Sequence, residues 1–367
     1  MILFYKYRIK SKKGLGALRR CSFAINQVWN YCVGTQRKVQ QDWKLGLFRY
    51  WPSLLDLCKL TQGTSGELGV HAQSVQSTCD QFVISRNHRK KCPKFRKSFG
   101  PKKSLGWVPF QKQSRQITED LIIYRGNPYK LFGTKRRPIP ENAGGGCFVE
   151  DARGRWYVCF YVEVEKDQRH GQGRVGIDLG LKTLATLSNG QKIENPRFYR
   201  KLEEKLGVAQ RAHNKKRVQA IHAKVKNARQ DYLHKESTKL IKENQLIVVG
   251  NVDAASLAKT RMAKSVYDVG WSTFRSMLNY KASRHSALYL EVNEKFTTQT
   301  CSQCGDCSTS GRPKGIAGLG IREWVCSSCG KSLDRDVNAA QNILNLGLSV
   351  QPLVEERPLE VFEKHKR

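Results

Sequence analysis

Two Cys-x-x-Cys pairs near the end of the chain constrain its fold more than any other feature. Cys301 and Cys304 form the first pair, in TCSQCG, and Cys326 and Cys329 form the second, in CSSCG. Four thiolates in two short pairs are the ligand set of a structural zinc ribbon, in which each pair presents two sulfurs to one tetrahedral ion. The spacing therefore predicts one Zn²⁺ held by these four side chains. Cys307 lies close to the first pair and is an alternative ligand.

An acidic segment follows the second pair. Asp334, Arg335 and Asp336 precede an Asn-Ala-Ala run with helical character. Carboxylates at the start of a helix can bind a divalent cation, because hard cations prefer oxygen ligands. A zinc module placed just before such a helix predicts a nuclease.

The charge of the chain indicates the same class of partner. The 367 residues include 65 Lys and Arg against 31 Asp and Glu, a formal net charge of +34. Such an excess favours a polyanion, bound in a strongly salt-dependent way. No apolar run reaches the length of about 18 residues that a membrane span needs, and no secretory signal is recognisable. The cysteines outside the two pairs are therefore expected to be reduced thiols of a cytoplasmic protein.

The first half of the chain changes from helical to strand-like patterns. Helical periodicity predicts helices over residues 17–44 and 71–87, and alternation of apolar and aromatic residues predicts strands within 104–170. We expect a small barrel or sheet built from residues 1–13 and 104–170, with the helices inserted between them. Residues 86–103 are basic and carry interleaved aromatics such as Phe95, which favours nucleic-acid contact over a solvated loop.

The second half alternates buried strands and helices. The VGIDLG motif predicts a strand that ends near Asp178, and the polar stretch 196–245 predicts two helices with a bend near His213. Buried strands are predicted at 246–249 and 287–292, with a helix over 271–280 between them.

Taken in order, these motifs resemble the TnpB proteins of insertion sequences. The resemblance rests on VGIDLG, a Lys-rich helical hairpin, WSTFRSMLNYKA, TTQTCSQCG, CSSCG and DRDVNAAQNIL. It is strong from about Gly173 to Leu346 and weaker in NQVWNYC and GWVPF before that. TnpB proteins are RNA-guided nucleases related to type V CRISPR effectors and to eukaryotic Fanzor proteins.

The resemblance implies an α+β multidomain fold. An N-terminal wedge β-barrel would be interrupted by a helical recognition lobe, and a C-terminal RNase H-like (RuvC) domain would carry an inserted zinc ribbon. The implied boundaries are 1–15 and 104–170 for the barrel, 16–103 for the lobe, 171–296 and 331–350 for the RuvC domain, 297–330 for the ribbon and 351–367 for a C-terminal tail.

The resemblance also implies the nuclease site. Asp178 matches the first RuvC carboxylate and Asp336 matches the third, while the role of Asp334 stays open. Gly250 stands where many members of the family carry the second carboxylate, a Glu. Either the enzyme is inactive, or another strand supplies the carboxylate. Some TnpB-like and Fanzor proteins carry such a relocated Glu on the strand before the first zinc knuckle.

In this chain that strand carries Glu291 and Glu294. Successive side chains of a strand alternate between its faces, so two residues three apart point to opposite sides. We expect Glu291 to be the metal ligand, because it still lies inside the apolar strand, with Glu294 as the alternative. Asp178, Glu291 and Asp336 would then bind two Mg²⁺ ions and hydrolyse a phosphodiester.

The predicted function is an RNA-guided DNA endonuclease encoded by a transposable element. Its expected partners are a guide RNA derived from the transposon end and double-stranded target DNA with a short adjacent motif, and it would act as a monomer or weak dimer on RNA near the prokaryotic nucleoid. The alternative is a nuclease-dead, RNA-guided DNA-binding regulator, which is favoured if neither Glu reaches Asp178 and Asp336. A DDE-type transposase is a weaker alternative, because the acidic spacing and the zinc insertion fit RuvC better.

Overall fold

A computed structural model of the protein describes residues 1–10, 14–47, 50–100, 102–167, 171–307, 313 and 320–355. The chain forms two compact units. The first comprises Met1–Val164, and the second begins at Glu165. Each unit has its own sheet and its own hydrophobic core.

The first unit consists of seven strands and four helices. The strands are β1 (Ile2–Ile9), β2 (Trp107–Phe110), β3 (Arg115–Thr118), β4 (Leu121–Tyr124), β5 (Asn127–Phe132), β6 (Ala143–Glu150) and β7 (Trp156–Glu163). The helices are α1 (Leu15–Lys44), α2 (Leu54–Leu60), α3 (Thr64–Glu67) and α4 (Ala72–Arg89). The two predicted helices, α1 and α4, lie between β1 and β2 in the sequence, as do the shorter α2 and α3.

The strands pair antiparallel into one sheet in the order β2-β6-β7-β1-β5-β4-β3. The sheet curls into a nearly closed barrel whose two edge strands are β2 and β3. The guanidinium of Arg115 on β3 donates through Nη2 to the carbonyl oxygens of Ala143 and Gly144 on β6. The side chain of Arg115 therefore connects edge strand β3 to β6 across the opening of the barrel. In a closed barrel, backbone hydrogen bonds between strands would make this connection.

Helix α1 shows the three- and four-residue spacing of buried side chains that its sequence predicts, and α4 packs against it. Trp29 and Phe82 meet edge to face at 5.6 Å between their ring centroids. The sequence analysis missed α2, although Ser53 and Asp56 form a reciprocal capping box at its start. The helix has only seven residues, which is too short for a clear apolar period.

The second unit is built on a five-stranded sheet. Its strands are β8 (Gly173–Leu179), β9 (Thr183–Leu187), β10 (Lys192–Glu194), β11 (Asn244–Gly250) and β12 (Leu288–Val292), and a separate hairpin comprises β13 (Glu323–Val325) and β14 (Ser332–Asp334). The helices are α5 (Glu203–Arg211), α6 (Lys215–Glu243), α7 (Ala254–Leu257), α8 (Ala263–Val269), α9 (Trp271–Arg284) and α10 (Arg335–Glu355). The bend predicted near His213 is confirmed, since Asn214 caps α6 by accepting from the backbone N–H of Arg217 at 3.0 Å.

The sheet order is β10-β9-β8-β11-β12, in which β8, β11 and β12 run parallel and β9 and β10 run antiparallel to their neighbours. Helices cover both faces of the sheet. Ile247 and Val249 pack with Phe274 of α9 on one face. Val248 packs with Ile343 of α10 on the other.

Helix α10 lies very close to the sheet at β8. A Cβ at Gly176 would lie 2.1 Å from the carbonyl oxygen of Ala340, so this strand position requires glycine. Asp178 follows two residues later and points to the same face. Gly250 occupies that face on the neighbouring strand, since Val249 is paired with Ile177. The two positions at the ends of β8 and β11 therefore lie side by side under α10.

No helix in the described part of the chain is long and apolar enough to cross a membrane. Residues 356–367, most of the predicted C-terminal tail, lie outside the described residues. The domain boundaries proposed from the resemblance stay predictions.

We expect Gly176→Ala to destabilise the second unit. The new methyl group would displace the backbone of α10, and overpacking of this kind typically costs about 1–3 kcal/mol. Gly34→Ala is the matched control, because Gly34 lies within α1 and a Cβ there would meet nothing within 4 Å. Chemical denaturation should give a lower midpoint for Gly176→Ala and an equal or higher one for Gly34→Ala. Equal midpoints for Gly176→Ala and wild type would contradict the close contact.

Candidate zinc site and carboxylate site

The four predicted zinc ligands come together. The sulfur atoms of Cys301, Cys304, Cys326 and Cys329 all lie within 4.8 Å of one another. Two of the separations, Cys301 to Cys329 and Cys304 to Cys326, are 3.7 Å. In a tetrahedral site with Zn–S bonds of about 2.3 Å, the sulfurs are about 3.8 Å apart. The spacing of the thiols therefore fits a Zn²⁺ ion. Exposed Cys307 is not part of this group.

The local backbone explains why each Cys-x-x-Cys-Gly segment presents both sulfurs to one side. The N–H of Gly305 donates to the carbonyl of Cys301 at 2.9 Å, and that of Gly330 donates to the carbonyl of Cys326 at 2.8 Å. Both glycines have positive φ, 75° and 71°, which glycine adopts without strain. Backbone N–H donors, that of Cys329 first, lower the pKa of the Cys326 thiol to about 7, which favours the thiolate that a metal needs.

The zinc knuckle is tied to helix α10 by two amide side chains. The Nδ2 atoms of Asn338 and Asn342 both donate to the carbonyl oxygens of Thr297 and Thr300, at 2.7–3.1 Å. In return, the N–H of Ser302 donates to Oδ1 of Asn338 at 2.8 Å. The turn that enters the first knuckle is thus fixed to the helix that carries Asp336.

Asp178 lies at the end of β8 in a strongly perturbed environment. Its pKa is raised from 3.8 to about 7, first by desolvation and then by the negative charges of Asp336 and Glu294. Arg335 opposes this shift but does not cancel it. The structure therefore gathers Asp178, Asp336 and Glu294 into one electrostatic cluster.

Glu294 occupies the space left by the missing side chain at Gly250. A Cβ on Gly250 would lie 2.7 Å from Oε2 of Glu294 and 3.2 Å from its Cβ. Oε2 is buried and has no hydrogen-bond partner. Burial also raises the pKa of this carboxyl, against a lowering influence from Arg275. Glu294 thus places an unpartnered carboxylate oxygen at Gly250, the position from which, by the resemblance, the second carboxylate is missing.

The expectation that Glu291 rather than Glu294 faces Asp178 needs correction. Glu291 is paired with Val249, whose side chain lies in the core on the opposite face of the sheet. Its carboxylate accepts from Arg275 at 3.2 Å and from the hydroxyl of Tyr289 at 2.6 Å. The two residues do point to opposite faces, as alternation predicts. The register of β12 against β11 turns Glu291 away from Asp178, and Glu294, two residues past the end of β12, reaches the face on which Gly250 lies.

Asp336 stands in the first turn of α10 and is held by two arginines. Its Oδ1 accepts from Nε and Nη2 of Arg335 at 2.9 and 2.7 Å, and its Oδ2 accepts from Nη1 of Arg322 at 3.1 Å. The sequence analysis missed both contacts. Only the adjacency of Arg335 was available as a signal, because Arg322 precedes Asp336 by fourteen residues.

Asp334 has a different role from Asp336. Its Oδ1 accepts from the backbone N–H groups of Asp336 and Val337 at 2.9 Å each, so it caps the start of α10. Its Oδ2 pairs with Nζ of Lys192 on β10 at 2.9 Å. These contacts give Asp334 a structural part at the start of α10.

The donor set beside Asp178 suits a hard divalent cation. It consists of carboxylate oxygens, one of them a buried acceptor without a partner, around Asp178, whose pKa is raised first by desolvation and then by neighbouring negative charge. The carboxylates are less tightly gathered than the thiols. Within the described ranges, the four cysteines are the one group of three or more whose ligand atoms lie within 4.8 Å of each other.

Comparison with known proteins places these features in one family. Residues 157–261 match a family model described as Probable transposase (OrfB_IS605), and residues 271–343 match one described as Cas12f1-like, TNB domain. A Streptomyces pristinaespiralis protein described as an RNA-guided DNA endonuclease is 31% identical over 377 residues, which cover 94% of this chain and 89% of that protein. The Escherichia coli K12 protein InsQ, with the same description, is 29% identical across 55% of this chain and 56% of its own length.

The extent of these matches shows that the chain belongs to the TnpB family, whose described members are RNA-guided DNA endonucleases. Among solved structures, the Cas12f1–sgRNA–target DNA complex aligns over 94% of this chain and 99% of its own, at 14% identity and a TM-score of 0.35. The family assignment rests on the sequence relatives.

We expect one Zn²⁺ per chain, bound through the four cysteines. Cys326→Ser should reduce the zinc content to near zero and unfold the ribbon, because a structural zinc site contributes folding free energy directly. Cys307→Ser is the matched control and should keep its zinc. Elemental analysis of the purified proteins measures both. Loss of zinc from the Cys307 variant would place that thiol in the ligand set.

We expect Asp178→Asn to stabilise the metal-free protein above neutral pH. A carboxyl whose pKa rises from 3.8 to about 7 on folding resists ionisation in the folded state. The resulting loss in the free energy of unfolding is absent below the lower pKa, grows between the two pKa values and is complete above the higher one. The melting temperature of Asp178→Asn should therefore exceed that of wild type by a few degrees at about pH 8, and by much less at about pH 4. Asp231→Asn, at an exposed carboxylate, should show no such pH-dependent gain.

Proposed function

We propose that this protein is an RNA-guided DNA endonuclease of a transposable element and that Asp178, Glu294 and Asp336 form its nuclease site. The observation that carries this proposal is the position of Glu294. Its unpartnered oxygen fills the slot at Gly250 beside Asp178, so the carboxylate that is missing from β11 is supplied from the end of β12. Family membership supports guidance by RNA and action on DNA.

The same observation argues against a nuclease-dead DNA-binding regulator. A binder has no use for a buried carboxylate without a hydrogen-bond partner, because leaving such a group unsatisfied costs about 1–3 kcal/mol or more. Gathering like charges around Asp178 adds to that cost. Retention of the cluster is understandable if a cation compensates it.

The three carboxylates would hold Mg²⁺, which when bound activates a water molecule and stabilises the leaving 3′ oxygen. Asp178 supplies a carboxylate that is poorly solvated and therefore ready to exchange a proton for a cation. Glu294 supplies an oxygen that no protein donor occupies. Asp336 is oriented at the helix start, and Arg322 and Arg335 hold its charge in the absence of a cation.

The zinc ribbon would act in positioning rather than in chemistry. Four thiolate ligands leave no open coordination position at zinc. The amide contacts of Asn338 and Asn342 connect the first knuckle to α10, and the turn between Glu294 and Thr297 connects it to the end of β12. The ribbon thus fixes Glu294 relative to Asp336.

The partners follow from the charge of +34 and from the family. We infer that a guide RNA from the transposon end pairs with the target strand, while the protein reads a short duplex motif beside the target. Action near the prokaryotic nucleoid, as a monomer or weak dimer on RNA, completes this proposal.

We expect Glu294→Gln to reduce guided cleavage on the order of a hundredfold or more, because it removes a metal-binding charge from the site. Asp178→Asn and Asp336→Asn should do the same. Glu291→Gln is the matched control three residues earlier in the chain and should cleave at the wild-type rate. The measurement is single-turnover cleavage in Mg²⁺ of a library with randomised sequence flanking the target, using protein copurified with its RNA.

A second substitution makes the test sharper. Gly250→Glu should partly restore cleavage to Glu294→Ala, because truncation of Glu294 empties the slot that a side chain at Gly250 enters. Loss of cleavage in Glu291→Gln with full activity in Glu294→Gln would return the role to Glu291. Absence of cleavage by the wild type, with guide and target binding intact, would establish the regulator instead.

A further inference from the structure

Residues 93–99 of the first unit lie along helix α1. We call this segment the basic strap. The indole N–H of Trp29 donates to the carbonyl of Lys94 at 3.0 Å. The amide of Asn30 donates to the carbonyl of Arg96 at 2.8 Å and accepts from its N–H at 2.7 Å. Side chains of α1 thus bind the strap backbone as a neighbouring strand would.

The inward face of the strap packs against side chains of α1 and β2. The guanidinium of Arg96 lies between two indoles, 3.8 Å from the centroid of Trp29 and 4.8 Å from that of Trp107. Ser98 accepts from the amide of Asn26 at 3.1 Å. These contacts fix which side chains point outward.

The outward face alternates cations and aromatic rings. Lys94, Phe95, Lys97 and Phe99 are exposed, and Phe95 and Phe99 expose 46% and 77% of their surface. Exposure of two large apolar rings on a segment whose backbone is fixed gains nothing for folding. Such a surface indicates a partner that contacts the rings directly.

Two further residues of α1 contact the rings of Phe95 and Phe99. The guanidinium of Arg37 lies 4.5 Å from the centroid of Phe95, and the ring of Phe23 lies 5.4 Å from that of Phe99. Each contact supports a ring from one side and leaves the ring partly exposed. The rings of Phe95 and Phe99 are therefore held in place before a partner binds, which lowers the entropy cost of binding.

The spacing of the rings favours a single strand. Phe99 packs on Phe23 and Phe95 lies against Arg37, and these two supports are fourteen residues apart on α1, so the rings sit at separate positions along the helix. Bases stacked in a duplex strand are about 3.4 Å apart and offer no free faces. Unpaired bases can be splayed onto separate rings, while the lysines between them meet the phosphates.

We propose that the basic strap binds an unpaired stretch of the guide RNA, with bases stacked on Phe95 and Phe99 and phosphates contacted by Lys94 and Lys97. The identity of the RNA rests on the proposed function, and the stacking surface itself does not. RNA is chosen because proteins recognise its unpaired loops and ends through stacking of this kind.

The test uses the full chain and a short oligouridylate as the probe. In Phe99→Trp, the added fluorescence should be quenched by oligouridylate, because quenching requires a base on the ring. The double variant F95A/F99A should weaken oligouridylate binding about tenfold or more, since each base–aromatic contact is worth about 1–3 kcal/mol. F95L/F99L should weaken binding similarly, because leucine keeps the bulk without a flat face. K94A/K97A should reduce the slope of log K against log salt by about 1.4.

Phe132→Ala is the matched control, because this ring is 63% exposed on β5 and lies outside the strap. It should bind oligouridylate as the wild type does. Unchanged binding by F95A/F99A, or equal losses for Phe132→Ala, would overturn the proposal. A loss seen with oligodeoxythymidylate but not with oligouridylate would assign the strap to DNA and overturn the choice of RNA. Wild-type cleavage is measured in parallel, so that its failure rejects the nuclease while leaving the fluorescence result to decide the strap.

Discussion

The close contact between helix α10 and the central sheet is the constraint on which the second unit depends. Glycine at position 176 lets the helix backbone approach β8 more closely than any side chain would permit. The approach brings the first turn of the helix, with Asp336, to the ends of β8 and β11. The same helix presents Asn338 and Asn342 to the zinc knuckle. This packing contact thus fixes the positions of Asp336 and of the zinc knuckle relative to the sheet.

The consequence is an electrostatic environment that is unfavourable without a cation. Desolvation and then the negative charges of Asp336 and Glu294 raise the pKa of Asp178 to about 7, and Oε2 of Glu294 has no hydrogen-bond partner. Arg322 and Arg335 bind Asp336, and Arg335 offsets part of the rise in the pKa of Asp178 without cancelling it. A site of this kind lowers the stability of the metal-free fold and allows a cation to bind, as functional sites commonly do.

The two units use aromatic and charged residues in different ways. In the second unit, charge is concentrated in the carboxylate cluster around Asp178, which suits a metal ion. In the first unit, cations and aromatic rings alternate along a strap whose backbone is already fixed by Trp29 and Asn30. The first arrangement suits chemistry on a phosphate, and the second suits recognition of bases.

The sequence by itself determined the parts of the protein that depend on local spacing. The thiols of the zinc site, the helices α1 and α6, the buried strands and the positions of Asp178 and Asp336 follow from patterns that span a few residues each. Alternation also determined that Glu291 and Glu294 point to opposite faces. The tertiary structure alone decided which of them faces Asp178, that Asp334 caps α10, and that Arg115 bridges the open edge of the barrel. These outcomes depend on the register between strands distant in sequence and on contacts across the fold, which the local order of residues does not encode.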